Sequence, residues 1–339
     1  MLFRSIFDAT MTVFGAPGRY VQGPGVLDRI GGFARQLGDD AVLVGDALIL
    51  PLIGSRVAAS CQAAGVGLTV LPFAGKLGPG TAAALDAELG AARPGIVIAA
   101  GGGRAIDAGK ALADLRGLRL ITVPTVASND APTSKNYVLY DDAGHLVDVR
   151  HLPRNPDFVV VDTVLLAGAP RAMFAAGLGD ALSKRAEAAA CVAGQGTTMF
   201  LSRPPLLALA IASECEAVLL ANGQAALEVA GSGQPTPAFE AAVDFGQLGA
   251  AVADHALCRL ADGVDVGQQL APIVGLAELE RNGVQLLAQR IHLGQGGAVV
   301  AGLVGRGGGC CVAAGGPALG QCGRCAQGHE PGDGQPAQQ

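Results

Sequence analysis

Along the first 165 residues, short runs of aliphatic and β-branched residues alternate with longer stretches whose apolar positions recur at helical spacing. Ala41-Val42-Leu43-Val44 reads as a buried strand ending at Gly45-Asp46, followed by a helix through Ala64 and a second strand at Gly67–Phe73. Thr81 stands where an N-cap would open an Ala-rich helix to about Ala92. The next strand, Ile96–Ala100, runs straight into Gly101-Gly102-Gly103, and another covers Leu118–Val123. Tyr137–Tyr140 and His145–Val149, joined by Asp141–Gly144, predict a hairpin, and Phe158–Val161 a further strand. Strands that are apolar throughout are covered on both faces, which predicts a parallel, Rossmann-like α/β sheet.

After about residue 168 the strand pattern stops. Pro170–Ala189 and Pro204–Ala221 read as helices, the second with Leu206, Leu207, Ala210, Ile211 and Val218 at mostly helical spacing. The expected organisation is therefore an α/β domain over 1–165, a mostly helical domain over 166–290, and a Gly-rich low-complexity tail over 291–339. That tail holds 15 Gly in its 49 residues and no clear periodicity. It reads as flexible, or as a GC-rich gene translated out of frame, leaving the helical domain incomplete or disordered.

Composition narrows the possible functions. Of 339 residues 51 are Gly, only 15% are charged, and Lys occurs four times, at Lys76, Lys110, Lys135 and Lys184. A net charge of -6 without a basic patch argues against nucleic acid as the main partner. The absence of an uncharged apolar run near 18 residues argues against a membrane span. Met1–Phe14 is apolar but interrupted by Arg4 and Asp8, with no clear cleavage site, so the cytoplasm is the expected compartment. Reduced cysteines follow from that. Cys61, Cys191, Cys215 and Cys258 read as buried small hydrophobes. Cys310, Cys311, Cys322 and Cys325, with His329, form one C-x-x-C and no second spaced pair, a weak zinc signal.

The chemistry-bearing residues sit at strand ends. A strand, three glycines and a helix, as in Gly101–Lys110, make a phosphate cradle, because bare backbone N–H groups and the helix N-terminus both favour an anion. An ordinary tight turn would have the same residues. Asp46 can accept hydrogen bonds from an adenosine ribose or cap the following helix. The loop Thr122–Ser134 is dense in small hydroxyls and follows a strand, which suits either a ligand crevice or a capped surface turn.

The segments GGGRAIDAGKALAD, ITVPTVASNDAPTSKNYVLYDDAGHL, NPDFVVVDTVLLAGAPRAMFAAGLGDALSK and TPAFEAAV, in this order over residues 15–242, resemble the metal-dependent polyol dehydrogenases, the iron-containing alcohol dehydrogenase family. The resemblance implies a dehydroquinate synthase-like architecture and NAD-dependent oxidation of glycerol or a similar vicinal diol, in a homo-oligomer with a divalent metal, zinc being the expected one. It places Asp46 on the adenosine ribose and the cofactor on the glycine turn Gly101, Gly102 and Gly103, with Arg104, Ala105, Ile106 and Asp107 continuing the NAD-binding segment. Thr125, Val126, Ala127 and Ser128 form the second nucleotide loop. Ser134, Asn136 and Tyr140 are further cofactor contacts, Asn136 standing where an apolar residue is usual. Asp130 becomes the substrate-contacting carboxylate and Asp180 the first metal ligand. The family's two histidine segments are absent, and their positions fall near Gly263 and Glu280. His255 is the remaining candidate ligand, His292 a weaker one. Arg171, Lys184 and Arg185 beside Asp180 read as solvated charges. The same scaffold also carries glycerol-1-phosphate dehydrogenases and dehydroquinate synthase-like enzymes, but a phosphate substrate calls for more cations than Lys135 near Asp130. A third reading is a nucleotide-binding remnant without catalysis.

Overall fold

The computed structural model describes residues 7–249. Eight strands and eight helices follow one another in that span. Six strands form a fully parallel sheet: β1 (Arg19–Gly23), β2 (Asp40–Asp46), β3 (Gly67–Phe73), β4 (Ile96–Gly101), β5 (Arg119–Pro124) and β8 (Phe158–Asp162), in the order β1-β8-β5-β4-β2-β3. The remaining two, β6 (Asn136–Tyr140) and β7 (Leu146–His151), pair as an antiparallel hairpin with Asn136 opposite His151.

Period-two alternation within each central strand feeds two cores. Leu43, Ile98, Ile121 and Val160 face Ile30, Ile53, Val57 and Cys61 of α1 (Ile30–Arg35) and α2 (Ile49–Ala63). Their neighbours Val42, Val44, Val97 and Ala99 face α3 (Thr81–Leu89), α4 (Gly103–Arg116) and the hairpin residues Tyr137 and Leu139. Burial on both faces explains why these strands carry no polar alternation. Gly109 of α4 lies over β4 so closely that a Cβ would stand 2.4 Å from that of Ala99, and only glycine permits this helix–strand approach.

A third core is helical. Val159 and Val161 of β8 meet α5 (Thr163–Ala167), α6 (Arg171–Ala193), α7 (Leu206–Val229) and α8 (Pro237–Asp244) through Leu166, Phe174, Leu178, Leu219 and Phe239. Phe174 and Phe239 stack at 4.8 Å. The 24-residue α7 is long and apolar enough to cross a bilayer by length and composition alone. It carries Glu214 and Glu216, however, and packs one face on α6 and α8 with Cys215 and Leu219 fully buried. One local expectation is corrected. Thr81 is the first residue of α3 rather than its cap, Gly80 holding that place, and its Oγ1 accepts the Gly78 N–H at 2.8 Å instead. Among the described cysteines, Cys61, Cys191 and Cys215 are buried; burial chiefly, with the Asp180 charge next, pushes the Cys215 thiol up to about 12.

Candidate functional site

The order of the sheet strands creates the crevice. From β2 the chain moves outward to β3, then returns to β4 on the other side of β2 and continues to β5. The carboxyl ends of β2 and β4 thus flank a topological switch point, the place where open α/β sheets bind ligands. Asp46 ends β2, Gly101 ends β4 and Pro124 ends β5 beside it, Gly101 and Pro124 being register partners.

The glycine turn at this edge is shaped by contact. Gly101 has φ +141°, a conformation that disfavours a side chain, and a Cβ there would stand 2.7 Å from that of Ala105. A Cβ on Gly103 would stand 2.8 Å from Asn129 Nδ2. Gly102 is the N-cap of α4, has no side-chain partner for the first-turn amides, and its carbonyl accepts the Ala105 and Ile106 N–H groups at 3.1 Å. The remaining amides and the positive end of α4 therefore open onto the crevice. Ala105 and Ile106 are buried, so the accessible start of α4 consists of Gly102, Gly103 and Arg104. The Arg104 guanidinium lies over the Tyr140 ring, 5.7 Å from its centroid, joining the start of α4 to the hairpin. Burial, and then the Asp107 charge, raises the Tyr140 pKa.

Asp46 is half-buried, and its Oδ1 accepts the N–H groups of Leu48 and Ile49, both at 2.9 Å. It therefore caps the start of α2, and among the described residues Oδ2 has no hydrogen-bond partner. The loop after β5 is pinned to the turn by the Thr125 N–H, which donates to the Gly101 carbonyl at 3.1 Å. Thr125 Oγ1 is buried with no hydrogen-bond partner. A hydroxyl left thus at the mouth of a glycine cradle fits a nucleotide, which can supply the missing acceptor. Val126 and Ser128 are partly exposed, whereas Ala127 is buried against α6. The Asp130 carbonyl accepts the Thr133 N–H and Oγ1–H, each at 2.9 Å, and the Ser134 N–H at 3.1 Å, making a tight turn that carries its carboxylate.

Asp107, Lys110, Ser134 and Asn136 meet beneath this turn. Lys110 is fully buried, with Nζ 3.2 Å from Asp107 Oδ1, donating to Ser134 Oγ at 3.3 Å and to the Asn136 carbonyl. Asp107 Oδ2 accepts the Val138 N–H at 3.1 Å. Burial raises the Asp107 pKa, with the Lys110 charge opposing. The Asn136 side chain does not replace an apolar residue in kind, because its Oδ1 pairs with His151 Nδ1 at 2.6 Å.

Residues without a motif complete the frame. Gln247 is buried beyond the last recognisable segment. Its Nε2 donates to the Asn129 carbonyl at 3.0 Å and its own carbonyl accepts the Thr133 hydroxyl at 3.0 Å. The only sequence signal for Lys110 was its place closing the glycine-helix segment; for Gln247 there was none.

The metal expectation fares differently. Asp180 is buried on α6, but Lys184, expected to be solvated, is 2% exposed. Its Nζ lies 3.5 Å from Asp180 Oδ1 and 3.8 Å from Glu187 Oε2. An i, i+4 lysine that must remain near a buried carboxylate is drawn inward with it. Arg185 is half-buried and paired with Glu216, while Arg171 is exposed. No group of three or more His, Cys, Asp or Glu side chains is gathered among the described residues. An ammonium group set between two carboxylates does not fit a divalent cation, so the described residues alone do not compose that site. His255, His292 and the clustered cysteines lie outside the described residues, as do Gly263 and Glu280.

Residues 17–163 match the family model described as iron-containing alcohol dehydrogenase. A glycerol dehydrogenase of Escherichia coli O6:H1 is 37% identical over 232 residues, 68% of this chain and 63% of its own length. A glycolaldehyde reductase of Halobacterium salinarum is 32% identical over 237 residues, 70% of this chain and 65% of its own. The crystal structure of a probable glycerol dehydrogenase from Sinorhizobium meliloti superposes with a TM-score of 0.68 at 28% identity, covering 73% of this chain and 68% of that one. The chain thus spans a little under two thirds of the curated relatives it matches.

Proposed function

From residues 17–163, a segment of the iron-containing alcohol dehydrogenase family, we propose that this chain binds NAD at the carboxyl edge of its sheet and oxidises glycerol or a similar vicinal diol to the hydroxyketone. The observation carrying this reading is the glycine turn at the switch point with the buried, unpartnered Thr125 hydroxyl beside it.

When bound, NAD supplies the hydride acceptor for the carbinol carbon. The Asp46 Oδ2 accepts from the adenosine ribose hydroxyls and repels a 2′-phosphate, while Oδ1 keeps capping α2. The α4 N-terminus, from Gly101 to Gly103, receives the pyrophosphate, and Thr125 Oγ1 donates to it. Ser134, Asn136 and Tyr140 line the reacting end. Asp130, held by its own turn, accepts a hydrogen bond from one substrate hydroxyl and orients the diol. The companion expectations are a polyol as the small-molecule partner, a homo-oligomer and a cytoplasmic location.

A binding-only reading is favoured by one specific observation, the occupation of Asp180 by Lys184. The phosphate-substrate reading loses support, because Lys135 is buried and held over the Phe200 ring at 4.1 Å. Purified chain is titrated with NADH and assayed for NAD reduction with glycerol, and with glycerol 1-phosphate, before and after addition of zinc. NADH binding with glycerol-dependent turnover is the expected result. Binding without turnover under either condition leaves the remnant, and no binding at millimolar NADH overturns the nucleotide reading.

A further inference from the structure

Several side chains join the two walls of the crevice, and Lys110 is the fully buried one among them. One wall is α4, which begins at the glycine turn and carries Asp107 and Lys110. The other runs from Asp130 through Ser134 into β6. Lys110 Nζ spans them, with Asp107 Oδ1 at 3.2 Å on its own helix and Ser134 Oγ at 3.3 Å with the Asn136 carbonyl opposite. The residue is fully buried, and a lysine in that setting is retained only where its ammonium is well satisfied. Its acceptors are not scattered core groups. Ser134 closes the turn on the Asp130 carbonyl, and Asn136 is anchored from its other side by His151. Both therefore belong to the end of the crevice where substrate meets cofactor, remote along the sheet edge from Asp46 on β2.

We propose that Lys110 is the positioning residue for the nicotinamide end of the cofactor: it sets the spacing between the α4 wall and the Ser134–Asn136 wall and leaves the adenosine end to Asp46. The inference rests on the NAD reading above and extends it to a residue that contacts neither cofactor nor substrate. Asp107 works through Lys110, fixing the ammonium on one side while its other oxygen holds the Val138 amide of the hairpin. A lysine that merely filled the core would support both ends of the crevice alike, whereas a wall-spacing lysine favours ligands that carry a nicotinamide.

The test compares NADH with ADP-ribose, which retains the adenosine and pyrophosphate and lacks the nicotinamide, on the full chain. In Lys110→Met the NADH dissociation constant rises about tenfold, the scale of one lost charged hydrogen bond, while that for ADP-ribose stays within about twofold. Equal weakening of both ligands, or no weakening of NADH, overturns the inference and leaves the NAD reading standing. Unmodified protein that binds neither ligand overturns both. If Lys110→Met does not fold, Asp107→Asn keeps the side-chain size and the Val138 bond, and the same selective loss of NADH is expected. Unchanged selectivity in that variant overturns the inference equally.

Discussion

Gly177 of α6 meets the carbonyl oxygen of Ala127 so closely that a Cβ on the glycine would stand 1.8 Å from that oxygen. The contact presses α6, one turn before Asp180, onto the loop that carries Ser128 and Asp130, and so sets the helical part against the sheet edge. Gly177→Ala forces the two apart. Urea unfolding should show a loss of about 3 kcal/mol, near the upper end for overpacking because the obstruction is backbone, and NADH affinity should fall with it. Stability within about 0.5 kcal/mol of the parent, the range of an indifferent surface change, would show that the loop yields freely.

Asp46 caps α2 through one oxygen, and the proposed ribose contact falls to the other. Asp46→Asn can keep the cap through its amide oxygen and lose the charge, whereas Asp46→Ala loses both. The alanine variant should be less stable by about 1 kcal/mol, the asparagine variant by little. Both should weaken NADH and narrow its advantage over NADPH. An unchanged NADH/NADPH ratio in both variants removes the ribose role.

Asp180→Asn removes the nearest counter-charge of the buried Lys184 and leaves Glu187 at 3.8 Å. Breaking one side of a buried pair costs about 3 kcal/mol or more, while replacing both sides by apolar groups costs much less. Chemical denaturation should therefore rank Asp180→Asn below the double variant Asp180→Leu/Lys184→Met. The reverse order would show that the two residues are not coupled.

Burial holds the Asp107 pKa above its ordinary value, so the folded state retains this proton after the unfolded chain has released it. The contribution of this group is then most favourable below about pH 4 and falls as pH rises through the raised value. Lys110 opposes the shift, so Lys110→Met moves that value further up. The stability gap between parent and variant should widen from about pH 4 upward and then level off. A gap independent of pH would place the Asp107 charge elsewhere.

Much of this molecule was legible from residue pattern alone. Val42–Val44 and Ile96–Ala100 were readable as two-faced strands from their unbroken apolar runs, whereas the glycines that begin at the end of β4 suited a phosphate cradle and an ordinary tight turn alike. Asp46 illustrates the limit: both of its readings were chemically sound, and the structure shows the cap on Oδ1 while Oδ2 has no hydrogen-bond partner among the described residues. Lys184 was misread because i, i+4 spacing from Asp180 does not say which way that helix face turns, and burial of Asp180 decided it. Gln247 was invisible because a side chain that clamps a loop 118 residues away leaves no local periodicity. The register of β1 was equally hidden, since parallel pairing has no turn to announce it.

That register governs how the chain assembles. Among the described strands β1 pairs only with β8, Arg19 lying opposite Phe158. The first strand to be synthesised has no partner until the last strand of the sheet leaves the ribosome, and every intervening element must fold or wait around it. Long-range closure of this kind slows folding and leaves strand edges open in the interim. A chain halted before Phe158 would expose β1 and one side of β5 together, making an incomplete product more adhesive than either a shorter or a finished one.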